Sequence, residues 1–129
     1  MTRTLAAIAV FIVAALHGGF LALEMFLWEA EAGRSVTGYT AEEAAFTSVL
    51  AANQGLYNGF IAAGLLWGLI AGKRDVKIFF LICVVIAGLY GAWSAASPTI
   101  LYLQAIPGAL ALALTLFAGK ARRGTKIEL

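Results

Sequence analysis

Charge, histidine, cysteine and proline are all scarce in this 129-residue chain. Only 12% of residues are charged, and there are one histidine, one cysteine and two prolines. Soluble domains carry about 25% charged residues, so a typical water-soluble domain is a poor fit. A lone Cys83 excludes an intrachain disulfide. One His and one Cys also fall short of the roughly four N/S ligands of a closed zinc site. A net charge of +2, with the cations spread among segment ends, leaves no basic face for nucleic acid.

What the chain has instead is apolar sequence, 62% of its residues, gathered into long blocks. Four runs read as membrane spans: about Leu5–Trp28, Ala44–Ile70, Lys77–Ala95 and Thr99–Gly119. Each is near the ~17–25 residues that a helix needs to cross hydrocarbon. The expected fold is therefore all-α, a single polytopic domain built as a membrane four-helix bundle. The apolar run behind the N-terminal "MTR" continues to Trp28, past the ~7–15 residues of a signal-peptide core, so the first span is expected to be retained.

The segment ends carry helix punctuation. Thr40 followed by Glu43 reads as a capping box. Asp75 is a candidate cap for the third span. Ser97-Pro98 reads as an N-cap followed by proline at the first helical position. "GKARRG" brings cations to the end of the fourth span. Arg3, the Lys73/Arg74/Lys77 group and the tail with Lys120, Arg122, Arg123 and Lys126 all fall on one side of a four-span arrangement. Positive-inside logic makes that side the cytoplasm, with both termini there. A bacterial inner (cytoplasmic) membrane is the expected location, and the bilayer the first partner. The segment from Glu29 to Ala41 is then an outer loop, long enough to be a lid.

Polar residues within the spans are few and placed together. At about 100° per residue, Asn53, Gln54, Tyr57 and Asn58 fall within one broad face of the second span. Gly64, Gly68 and Gly72 continue near that face, where small residues allow close helix approach. In the first span, His17 and Glu24 are seven apart and share a face with Leu21 and Trp28. The third span offers Cys83, Tyr90 and Ser94 on one stripe. The fourth offers Gln104, followed by Gly108, Ala111 and Thr115. In the four-span orientation these polar groups reach one depth, in the outer half of the bilayer, with His17 near the middle. Unsatisfied polar groups in lipid cost several kcal/mol. The economical arrangement is a shared polar pocket made of His17, Glu24, Asn53, Gln54, Tyr57, Asn58, Tyr90, Ser94 and Gln104. Glycine and alanine packing would close the inner half.

The stretches "LEMFLW", "NQGLYNGF" and "AGLYG", with Q-x-x-P at Gln104 and Pro107, resemble a bacterial family of small membrane proteins catalogued as domain-of-unknown-function family 1304. The resemblance runs over nearly the whole chain and implies a four-helix membrane fold. It implies no activity. Its signature residues correspond here to His17, Glu24, Asn53, Gln54, Tyr57, Asn58, Tyr90 and Gln104.

Several chemistries compete for these residues. A metal site would draw on His17 and Glu24 with Cys83 as a remote third, but i,i+7 spacing stretches compared with an i,i+4 pair. A haem on His17 alone has no better support, and no motif names a cofactor. Acid–base catalysis would use Glu24 and His17 to move a proton, with tyrosine and asparagine polarising an oxygen of an epoxide-like or sterol-like substrate. Binding a small hydrophobic or amphipathic ligand asks less of the same groups. Transport would need a homo-oligomer, with Pro107 as a kink. Polar glue between helices is the plainest alternative, though glue rarely needs a carboxylate. Trp28, Trp93 and Tyr102 read as interfacial anchors.

Overall fold

The structure is a computed structural model that describes residues 2–120, with side chains through 118. The described residues form helices and short connections, with no strand. Helix α1 spans Thr2–Ala22 and runs on as a π turn over Leu23–Leu27. A short α2 covers Glu31–Thr37, inside the segment that the sequence reading leaves as a loop. Helix α3 spans Ala41–Ile70 and α4 spans Arg74–Ser94. Helix α5 starts at Pro98–Ile100, passes through a π turn at Leu101–Ala105 and continues over Ile106–Lys120.

Three of these stretches are long and apolar enough to cross a membrane: Thr2–Leu27, Arg74–Ser94 and Pro98–Ala118. Helix α3 is the longest, at 30 residues, but the polar run from Asn53 to Asn58 interrupts its apolar sequence. Helix α1 packs against α3 and α5, and α4 packs against the same two, so α1 and α4 occupy opposite corners. The core is thin. Val10, Val13, Ala14, Leu65, Leu81, Val84 and Ala111 make up its buried centre. Large apolar side chains such as Phe46, Phe79, Ile86 and Trp93 point outward instead. Only 17% to 28% of each span-like stretch is buried within the protein. An apolar exterior around a small interior suits hydrocarbon solvent and would be costly in water.

Small residues set how closely the helices approach. On α3, Gly55 and Gly59 lie under Met25 and Leu21 of α1, while Gly64 and Gly68 lie under Phe80 and Lys77 of α4. A Cβ on Gly88 would stand 2.7 Å from the backbone nitrogen of Ala105, so α4 and α5 touch nearly backbone to backbone. Gly72 takes no part in this packing. It lies past the end of α3 with φ of +64° and donates its N–H to Leu69 O, as the left-handed residue of a helix end does.

The caps follow the sequence in part. Thr40 and Glu43 form a reciprocal capping box at the start of α3. Asp75 does not cap α4: the helix begins one residue earlier, Lys73 takes the N-cap position without a side-chain bond, and Asp75 falls in the first turn. Ser97 and Pro98 are at N-cap and N1 of α5, but the serine side chain makes no capping bond. The "GKARRG" cations beyond Lys120, Arg122 and Arg123, lie outside the described residues, as does Lys126.

Helix α4 ends in a Schellman motif. Ser97 N–H donates to Ala92 O and Ala96 N–H to Trp93 O. The left-handed position is Ala96, at φ of +48°, where glycine is the usual residue. Ala96→Gly is expected to raise stability by up to about 1 kcal/mol, read as a higher thermal midpoint of the purified protein. At the other cap, the Thr40 backbone N–H, and after it the Thr40 hydroxyl, hold the Glu43 carboxyl below its usual range. The Glu43 contribution is therefore present above the ordinary carboxylate range and is lost as pH falls through the depressed folded value. Amide exchange at the first turn of α3 should quicken in that acid window, and Glu43→Gln should remove the pH dependence.

Candidate functional site

A cavity of about 570 Å³ opens between α1, α3, α4 and α5. Its polar lining is His17, Glu24, Gln54, Tyr57, Asn58, Tyr90 and Gln104, and Cys83 joins them. Phe60, Ile61, Val84 and Ile100 supply apolar wall. His17 is 1% exposed and adjoins the buried centre, whose Val13 and Ala14 lie one turn before it on α1. Tyr57 and Tyr90 are exposed at the margin, at 57% and 65%. The wall is thus graded from a sealed histidine to open phenols.

The central contact crosses from α1 to α3. Asn58 Nδ2 donates to Glu24 Oε2 at 2.7 Å. Glu24 is half-buried and faces its own chain. His17 is fixed by a second bond: Nδ1 lies 2.8 Å from Val13 O. A carbonyl only accepts, so Nδ1 carries the hydrogen, and in the neutral ring Nε2 holds the free lone pair. The Phe20 ring meets the imidazole edge-on at 5.5 Å. One carboxylate oxygen and one imidazole nitrogen therefore have no protein partner among the described residues.

Two of the cavity's polar residues come from π turns. Glu24 lies in the turn Leu23–Leu27 and Gln104 in Leu101–Ala105. In the second turn, Ile106 N–H reaches back five residues to Leu101 O. The cause is close by: Pro107 lacks an N–H, and its ring would strike the carbonyl four residues back, Leu103. Widening the turn relieves that clash and rotates Gln104 relative to a regular helix. π turns of this kind are common at functional sites.

The family whose description reads "Protein of unknown function (DUF1304)" matches residues 11–116. The chain belongs to this family. No curated protein matches it, and no solved structure does. The DUF1304 match spans every residue of the cavity lining.

Two residues expected in the DUF1304 cavity are not in its wall. Asn53 is exposed on the flank of α3. The cavity residues of α3 are Gln54, Tyr57, Asn58, Phe60 and Ile61, and Asn53 lies outside the wall although its helical phase falls between those of Phe60 and Tyr57 at about 100° per residue. Ser94 is also exposed, in the last turn of α4, with its hydroxyl directed at Gly91 O. Cys83 differs in the other direction. It lies two turns before Tyr90 on the same α4 stripe, so its helical phase already pointed to the lining. Among the described residues, no group of three His, Cys, Asp or Glu side chains gathers to hold a metal ion.

The aromatics divide. Trp93 and Tyr102 are exposed, at 78% and 65%. Trp28 instead donates from Nε1 to Thr47 Oγ1 at 3.0 Å and meets Tyr39 edge-on, which ties the end of α1 to the start of α3. Helix α2 sits over that junction, with Gly33 against the carbonyls of Leu27 and Trp28.

A double-mutant cycle with Glu24→Gln and Asn58→Leu should return a coupling of about 1 kcal/mol between the two positions. Unfolding of the purified protein in detergent measures it. A coupling near zero would mean that the bond contributes nothing net.

Proposed function

We propose that this DUF1304 protein is a four-span protein of the bacterial inner membrane, with both termini cytoplasmic. Its cavity binds a small hydrophobic or amphipathic molecule. His17 and Glu24 are the ionisable centre, and Gln54, Tyr57, Asn58, Tyr90 and Gln104 are the polar wall. Asn53 and Ser94 serve the rim.

The observation that carries this reading is the hydrogen bond from Asn58 to Glu24 beside a cavity of about 570 Å³. That volume falls within the range of about 300–1,000 Å³ for small-molecule sites. Glue alone would consume the polar groups in bonds between helices. Here Gln54, Tyr57, Tyr90 and Gln104 border open space without a protein partner among the described bonds. The mixture of phenols, amides and aliphatic wall suits a molecule with an apolar body and one or two oxygens.

The free imidazole lone pair and the free carboxylate oxygen favour a second reading. A base and an acid bordering one cavity could isomerise or hydrate an oxygenated ligand such as an epoxide, each moving a proton.

Extraction of what co-purifies with the wild-type protein separates the two. Binding predicts a retained molecule that is unchanged on incubation, and depleted tenfold or more in Glu24→Gln and Asn58→Ala. Catalysis predicts turnover that Glu24→Gln abolishes. Ligand content and activity unmoved by either substitution would leave the polar residues as glue and end both readings.

A further inference from the structure

A second cleft opens at the opposite end of the helices. It has a volume of about 340 Å³ and is lined by Arg3 of α1, Gly72 of the α3–α4 turn, Arg74 and Lys77 of α4, and Thr115 and Ala118 of α5. We propose that this cleft holds the phosphate of an anionic phospholipid headgroup. It requires the chain to sit in a bilayer, as in the reading above, and is independent of what the larger cavity binds.

Three cationic side chains from two helices line one small space, and among the described residues no acidic side chain lines it with them. Asp75, in the first turn of α4, borders a different depression with Trp67 and Phe79. Arg74 is held in place by its own bonds: Nε donates to Thr115 O at 3.3 Å and Nη2 to Leu116 O at 3.2 Å. Those two bonds leave other guanidinium donors unused, out of five. The Lys77 stem lies against Gly68, which fixes a second cation.

The helix start adds to the field. Helix α4 begins at Arg74 with Lys73 as N-cap and no side-chain bond to the first-turn amides. A 21-residue helix therefore presents uncapped N–H groups and its positive end beside the same cations. Arg3 and Arg74 are exposed and Lys77 is half-buried, so all three charges can be reached by an anion at the surface. The rest of the wall includes Ala6, Ala7 and Ala118, small apolar groups that suit the glycerol and first methylenes of a lipid.

Position decides the source of the phosphate. The cleft lies where the apolar stretches end, at the level of headgroups in a spanning chain. Basic pockets between spanning helices on the cytoplasmic side are suited to anionic headgroups. Lys73 marks the boundary of the site. Its Nζ is drawn over the Trp67 ring, 5.1 Å from the centroid, and it is absent from the cleft wall.

Native mass spectrometry of the purified full chain, released from mixed phosphatidylglycerol and phosphatidylcholine, tests the proposal. Wild type should retain phosphatidylglycerol over phosphatidylcholine by at least about fivefold for each cation engaged. Arg3→Gln with Lys77→Gln should bring the ratio to that of the bulk mixture. Arg3→Lys with Lys77→Arg should keep the selectivity, and Lys73→Gln, which removes a single charge outside the cleft, should keep it too. Millimolar inorganic phosphate should not displace the lipid. Equal retention of both lipids by wild type would overturn the site, as would loss of selectivity in the charge-keeping pair or in Lys73→Gln. Displacement by inorganic phosphate would overturn the lipid as the source. Recovery of folded protein in bilayer discs reports separately on whether the chain spans a membrane.

Discussion

A carboxylate set among apolar helices must be met by a donor from its own chain, and Asn58 meets Glu24. Much of the upper half of the molecule is consistent with that one requirement. For the bond to form, α1 and α3 must approach closely, and Gly55 lies under Met25 and Glu24 to permit it. Glu24 shares the face of His17 by its i,i+7 spacing, and it lies in the π turn that ends α1. Loss of the bond would leave a polar group in surroundings that offer little water, which costs about 1–3 kcal/mol or more for a charged one.

The lower half answers a different requirement. There the side chains are small or aliphatic: Val10, Val13 and Ala14 against Leu65, Leu81, Val84 and Ala111. With an apolar exterior, burial of hydrocarbon brings little gain in lipid, and close packing must hold the helices instead. Gly64, Gly68 and Gly108 each receive a neighbouring atom where a Cβ would stand. The molecule is knit tightly beneath His17 and left open above it. At the cavity end the described side-chain bonds between helices are Asn58 to Glu24 and Trp28 to Thr47, and the cavity opens beside them.

Much of this was readable in the sequence because it depends on period and composition. The apolar blocks marked the long helices, and Thr40 with Glu43 marked the start of α3. Helical phase brought Gln54, Tyr57, Asn58, Tyr90 and Gln104 toward one region. What escaped depends on departures from regular period. The π turns at Glu24 and Gln104 rotate each residue by a step that a uniform 100° cannot supply. Pro107 was the visible signal for the second of them. Asn53 was placed in the wall by phase alone, but it is exposed and outside the lining, which phase does not decide. The Gly55–Gly59 contact with α1 was hidden because its partner is in another segment. Helix α2 was missed because seven residues that start without a side-chain cap give too little pattern to read.

Helix α3 has a further consequence. Its 30 residues extend about 45 Å at 1.5 Å each, whereas hydrocarbon is about 30 Å thick. In the four-span reading this helix overshoots the bilayer or leans within it. Any thickening or thinning of the surrounding lipid would then act first on α3, whose tilt carries Gln54, Tyr57 and Asn58 with it. Membrane thickness would thereby set the aperture of the cavity, making the lipid environment a mechanical input to whatever the cavity holds.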